Sequence, residues 1–460
     1  MKKIILSILV LVHFLSANAE IQNIKFVVDM TKSSFKNITS IGLRGSVAPL
    51  SWDKSIPLKD ENNDGIFEGS VAFDGKNGTI LEYKYLCNEK WENSGNRSLK
   101  TKNDIETSDI WEKIVLSKYG NPYTFIVKGE EYSFNQRMHS EQIVHGVSQI
   151  LIKNGKVDTM LSYGFRDVEN SLPVDANTIF HIGGMGVSIT AFAMLRAVEK
   201  GLIDLDKPLN DYLKSWKLEA DAAYTVRDLM LGKIRFNTEK KPYGYVLGKK
   251  IPTLLQLLNG EKPSTLPKTK VLKNDNKDAN FSVSAALIAQ QILEDVYQKS
   301  FSAIVEIEIL KPLKMTQTIV NQLLTNEQLQ NASVGYLKNG KSVEGKRLVF
   351  PELGFGGIWT STQDYAKFVT YLIKAARGED NSLLSQKLAK SAVEPDGSFR
   401  SLVFPRGDHN YLGGAATGFR TQTTFDVEQN WLMVTFMNSW ENWRVMLEVE
   451  RAGRQRLEVN

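Results

Sequence analysis

Residues 175–213 read DANTIFHIGGMGVSITAFAMLRAVEKGLIDLDKPLNDYL. From Ser188 onward the apolar side chains fall at helical spacing, and Gly201 stops the run. Upstream, VSQILIKNGKVDTMLSYGFRD (147–167) reads as strand, turn, strand. Downstream, VSAALIAQQILEDVYQKS (283–300) has the pattern of a second amphipathic helix, and TQTTFDVEQNWLMVTFMNSW (421–440) that of two strands around a polar turn. Strands first, helices between and strands last is an α+β plan, with an antiparallel sheet flanked by helices.

The chain has 460 residues, of which 42% are apolar and 24% charged, as in soluble globular proteins of two or three domains. It opens on MKKIILSILVLVHFLSANAE, which joins two lysines, a short apolar run and the small residues Ala17 and Ala19. This is the pattern of a secretory leader ending at residue 19, and it predicts a periplasmic or secreted bacterial protein. No later segment approaches the roughly 20 apolar residues of a membrane span, so none is expected. Of 57 basic residues, Lys2 and Lys3 lie in the leader, leaving 55 against 52 acidic ones, a balance that argues against nucleic acid as a partner. Cys87 is the single cysteine, so no internal disulfide is available. Nothing in the sequence sets the oligomeric state.

Several blocks carry a resemblance over residues 140 to 445. They are the run quoted above, TVRDLML (225–231), TLLQLLNGEKP (253–263), ILKPLKMTQT (309–318) and GFGGIWTSTQDYAKF (354–368). In these the chain resembles the β-lactamase-like serine hydrolases, which include class C β-lactamases, D-alanyl-D-alanine carboxypeptidases and related esterases. The last block is similar to that family's Gly-Gly-x-x-Ser-Thr-x-x-Asp segment, read at Gly356, Gly357, Ser361, Thr362 and Asp364. The resemblance implies a serine nucleophile in a Ser-x-x-Lys motif. Residues three apart share a helical face, so the lysine amine can take the serine proton. It further implies a Tyr-x-Asn motif and a third His-x-Gly or Lys-Thr-Gly element.

In this sequence the resemblance sets Gly184 at the serine position and Val187 at the lysine position. Phe281, Ser282 and Val283 stand for Tyr-x-Asn, Leu412 stands for the third-motif histidine ahead of Gly413, Gly414 and Gly418, and Gly232 to Arg235 replace a His-Thr-Ser-Gly loop. When nucleophile and base act as a unit, losing either removes covalent turnover. The expectation is therefore a fold kept without its acyl-transfer chemistry, and a less polar cleft suited to apolar or aromatic ligands. Ser188 is expected to point about 100° away from the catalytic face. His181 reads as structural and His409 as solvated. His139 and His145 are six apart, the wrong helical spacing for one metal, and no H-E-x-x-H, G-x-S-x-G or cysteine pair is present. No metal or cofactor is expected.

Before this region, IKFVVDM (24–30), SIGLRGSV (40–47), IFEGSVAF (66–73) and ILEYKYLC (80–87) alternate apolar and polar residues between turn signals, which predicts a small β-sandwich. KDENNDG (59–65) reads as a turn rather than a calcium loop. LRGSVAPLSWDKSIPLK, DGIFEGSVAF and EYKYLCNEKWENSGNRSL are similar to the starch- and glycogen-binding modules with an immunoglobulin-like sandwich. That resemblance implies a stacking platform of Trp52 and Trp91, with Lys84 and Asn96 hydrogen-bonding sugar hydroxyls of an α-glucan-like ligand. The alternative buries both tryptophans in the sandwich core.

The expected organisation is a leader at 1–19, a sandwich at 20–112, a connector at 113–137 and the β-lactamase-like domain at 138–460. The expected function is that of an exported, non-catalytic protein binding a glycan, a cell-wall component or a partner. The alternatives are an active serine hydrolase with a relocated nucleophile and a structural protein of a surface assembly.

Overall fold

The computed structural model describes residues 21–460 except 32, 34, 36, 75–78, 93–96, 102–104, 108, 112–123, 128–129, 134–143, 171, 238–243, 273–281, 322, 394–403, 407–408, 441–442, 458 and 460. The proposed leader, Asn96, His139 and Phe281 therefore lie outside the described residues. The chain divides into two compact units, Met1–Lys113 and Ile114–Asn460.

In the first unit, β1 (Ile21–Asp29) lies antiparallel to β4 (Ile66–Asp74) over its full length, from Ile21↔Asp74 to Asp29↔Ile66. A second sheet runs β3 (Ile56–Leu58), β2 (Ile41–Gly45), β5 (Ile80–Cys87), β6 (Lys90–Trp91). The period-2 pattern puts Ile24, Phe26 and Val28 of β1 inside with no exposure, in one cluster with Leu43, Tyr83, Tyr85 and Cys87. At the edge of this core the buried Arg97 guanidinium donates to Glu92 at 2.7 Å and Asp109 at 3.0 Å, while the Tyr83 and Tyr85 hydroxyls donate to the same Asp109. In the KDENNDG segment the Asp60 carboxylate accepts from the amides of Asp64 and Gly65, and Gly65 has φ +84°. Its oxygens close a turn, as the composition predicts.

The second unit is built on a seven-stranded sheet in the order β9 (Leu172–Pro173), β8 (Lys156–Asp167), β7 (Gly146–Lys153), β13 (Trp431–Met437), β12 (Phe419–Asp426), β11 (His409–Ala416), β10 (Phe404–Arg406). The two ends of the domain meet where β7 pairs antiparallel with β13, Val147↔Met437 through Lys153↔Trp431. Alternation sorts these central strands between two cores. Ile150, Ile152, Leu432, Val434 and Phe436 face a large cluster with the helices α1 (Val187–Glu199), α2 (Val283–Tyr297) and α4 (Thr362–Arg377). Val147, Leu151, Trp431, Met433 and Met437 face a smaller one with α5 (Trp443–Leu457). A short helix, α3 (Leu353–Gly356), precedes α4.

Two features depart from expectation. Within the stretch read as a connector, Thr124–Val127 and Glu130–Ser133 pair as an antiparallel hairpin, Thr124↔Ser133. Its strands are four residues each, too short for a clear alternation. The helix α5 was also not anticipated, because its apolar face is narrow among many charged residues.

Candidate functional site

The backbone at the former nucleophile is set by close approach. The chain leaves the short strand Phe180–His181, turns at Gly183 with φ +54°, and runs through a 3-10 turn, Gly183–Gly186, into α1. A Cβ on Gly183 would overlap the Ala415 carbonyl of β11, and one on Gly414 would overlap the Ile182 carbonyl. Only glycine fits at either contact. Thr421 on β12 adds a hydrogen bond from its hydroxyl to the Ile182 carbonyl at 3.0 Å.

At Gly184 the space a side chain would enter is tight. A Cβ there would meet Phe355 Cζ at 3.3 Å, with the ring's Cε atoms at 3.7 and 3.9 Å. Val187, Val283 and Leu412 are 6%, 5% and 1% exposed and belong to one core cluster, against which Phe355 packs. The structure thus buries Val187, Val283 and Leu412 in the main core of the second unit and sets Gly184 against Phe355 at its edge, while Phe281 lies outside the described residues. Ser282, the middle residue of the old Tyr-x-Asn motif, spends its hydroxyl as the cap of α2, accepting from the Ala285 amide at 3.3 Å. In the replaced loop, Gly232 has φ +65° and Ile234 is buried.

The two side chains weighed as substitutes near Gly184, Ser188 and His181, are both buried. Ser188 is fully buried, and its Oγ lies 2.8 Å from both the Met185 carbonyl and the Tyr365 hydroxyl. His181 is 2% exposed, and its Nδ1 accepts from the Gly183 amide at 3.2 Å. Its ring lies 4.5 Å from Phe350 and 5.2 Å from Trp359, and burial lowers its pKa to about 3, so the imidazole is neutral. His409, at the start of β11, lies 6.3 Å from the Trp431 ring. Among the described residues no group of three or more His, Cys, Asp or Glu is placed to hold a metal ion.

The segment around Gly356 is structural. Counted from Gly356, the family spacing falls on Thr360 and Ser361, rather than on Ser361 and Thr362. Ser361 caps α4 by accepting from the Asp364 amide at 3.2 Å. The Asp364 carboxylate in turn accepts from the Gln317 amide at 2.6 Å and the Thr318 hydroxyl at 3.2 Å.

Sequence reasoning missed Phe355 and Glu352. Glu352 is wholly buried, neither carboxylate oxygen has a hydrogen-bond partner, and burial raises its pKa to about 7. The available signal was a lone carboxylate in the otherwise apolar run LVFPELGFGG (348–357).

In the first unit, the Trp52 and Trp91 rings lie 6.2 Å apart at 52°, and Trp91 is 40% exposed. Trp52 is half-buried, so neither ring lies wholly in the core. Lys84 Nζ sits 5.6 Å from the Trp91 ring centroid and Arg44 Cζ 5.2 Å from it. Arg44, which sequence reasoning also missed, is held by Ser55 Oγ at 2.9 Å and the Trp52 carbonyl at 3.0 Å. Three of the four expected glycan-binding residues therefore share one patch, and Asn96 lies outside the described residues.

The family model described as Beta-lactamase matches residues 133–456. PbpX of Bacillus subtilis (strain 168), named as a penicillin-binding protein, is 24% identical over 67% of this chain and 75% of its own length. Teichoic acid D-alanine hydrolase of Staphylococcus aureus is 23% identical over 57% of this chain, which spans 62% of that relative's length. Among solved structures, D-amino acid amidase from Ochrobactrum anthropi SV3 superposes with a TM-score of 0.57 at 20% identity, covering 70% of this chain and 96% of that one. FmtA from Staphylococcus aureus does so with a TM-score of 0.56 at 19% identity, covering 70% and 86%. These superpositions share the fold of the second unit.

Proposed function

The chain belongs to the Beta-lactamase family, and from that premise we propose that it is an exported, non-catalytic member that works by binding. The observation that carries this reading is the packing at Gly184. The Phe355 ring stands 3.3 Å from where a nucleophile's Cβ would be, and Val187, Val283 and Leu412 have joined the core. A serine there would need the Phe355 ring to give by a few tenths of an ångström, and no amine stands at the Val187 position to take its proton. Export rests on the leader pattern of residues 1–19; among the described residues no helix is long and apolar enough to cross a membrane.

The binding surface we assign is the patch on the first unit, read as an immunoglobulin-like carbohydrate module with Trp52 and Trp91 as its platform and a glycan as ligand. Sugar C–H faces stack on exposed π-systems, and a ring 40% exposed beside a second tryptophan supplies one. For the second unit the partner class is a cell-wall component, since one relative is named for teichoic acid.

Two experiments test this. The purified chain, treated with a fluorophosphonate and with a fluorescent penicillin, is expected to take up neither label; stoichiometric labelling of a serine would restore the hydrolase reading. Retention on insoluble starch or glycogen is expected to be lost on Trp91→Ala, and equal retention of both proteins would remove the platform.

A further inference from the structure

We infer that the glycan taken by the Trp52–Trp91 patch carries an anionic substituent, which sits between Lys84 and Arg44; this rests on the platform reading above. The register of the second sheet of the first unit places Arg44 directly opposite Lys84. Like charges directly opposite one another on neighbouring strands are destabilising. Among the described residues the nearby acids neutralise the pair only in part. Arg44 has only Glu89, whose carboxylate is 3.7 Å away and 77% exposed, where screening leaves an ion pair little strength. Glu92, the other acid near Lys84, is taken up by Arg97 at 2.7 Å.

The two cations differ in what remains free. Arg44 donates to Ser55 and to the Trp52 carbonyl, so it fixes the loop that carries Trp52. The Lys84 ammonium makes no hydrogen bond among the described residues, is half-buried, and rests on the face of Trp91. Its three donors have no acceptor among the described residues. The register also sets Trp91 opposite Leu86, so Arg44, Lys84 and Trp91 project from one face of the sheet. A ring stacked on the tryptophans would hold an acidic group next to that ammonium. A charge-assisted hydrogen bond there is about twice as strong as one to a neutral hydroxyl. A carboxylate and a phosphate share this chemistry.

The test compares three polymers with the intact chain by affinity electrophoresis and calorimetry: unmodified glycogen, a phosphorylated α-glucan and polygalacturonate. At least one anionic polymer is expected to bind about tenfold tighter than glycogen at low salt, a difference of about 1.4 kcal/mol. The advantage is expected to shrink as salt rises. Lys84→Met should abolish the preference by weakening the anionic polymers more than glycogen, whereas Trp91→Ala should weaken every polymer. Which anionic polymer wins distinguishes carboxylate from phosphate. Glycogen binding as tightly as both anionic polymers would overturn this inference and leave the platform standing. Failure of all three to bind, with Trp91→Ala indistinguishable from the parent, would overturn the platform as well. Unchanged circular dichroism of Lys84→Met keeps loss of fold from mimicking either outcome.

Discussion

At the scale of single residues, the former centre is defined by a ring in place of a hydroxyl. Gly184→Ser is expected to restore no labelling by fluorophosphonate and to change stability by no more than about 1 kcal/mol, the low end of the overpacking penalty, because its Cβ at 3.3 Å asks the Phe355 ring to give by only a few tenths of an ångström. Urea denaturation of the variant and its parent measures that difference. Glu352 yields a second prediction. Its folded pKa is about 7 against an ordinary 4.5, so the folded chain holds this proton more tightly than the unfolded one. The stabilisation is therefore complete below pH 4.5 and is lost as pH rises through about 7. A shift of this size corresponds to roughly 3 kcal/mol. Glu352→Gln should remove that part of the pH dependence, so its stability relative to the parent rises between pH 5 and pH 8 in denaturation curves taken at each pH. Neither Phe355 nor Glu352 stood out in the sequence, because a phenylalanine or a glutamate acquires such a role only from what the fold sets beside it.

At the scale of elements, glycines mark where strand and turn touch. Gly183 combines φ +54° with the Ala415 carbonyl at the position of a Cβ, so Gly183→Ala is expected to prevent the second unit from folding. Gly155, with φ +70° and nothing within 4 Å of a Cβ, should tolerate alanine at a cost of about 1–2 kcal/mol, the left-handed penalty alone. Soluble yield and thermal melts of the two variants separate these outcomes. In the first unit, Arg97 ties Glu92 to Asp109. Arg97→Met leaves both acids uncompensated in or near the core and should destabilise that unit by about 3–5 kcal/mol. The strands and helices themselves were legible, since period-2 and 3.6-residue patterns follow from burying one face. The four-residue strands at Thr124–Val127 and Glu130–Ser133 were not, because so short a segment leaves too few alternations to tell from a loop.

For the molecule as a whole, the chemistry is expected to be absent, not merely slow. Nitrocefin and an activated ester should turn over at the buffer's rate, and no single substitution around Gly184 should change it. The family was legible because its landmarks are glycines and caps that backbone geometry demands: Gly183 against β11, Gly414 against the Ile182 carbonyl, Ser361 at the start of α4. The proposal that the chemistry is gone also starts from the sequence, since none of the side chains of Gly184, Val187 and Leu412 ionises or offers a nucleophilic oxygen. What the chain's linear order could not reveal was what fills the vacated space. Phe355 is 171 positions from Gly184, and Arg44 is 40 from Lys84. Local pattern thus determined the elements and the family, because each depends on residues a few positions apart. Tertiary structure decided the ring over Gly184, the solitary acid at Glu352 and the two opposed cations beside Trp91, because burial and charge environment are set by neighbours that only folding supplies.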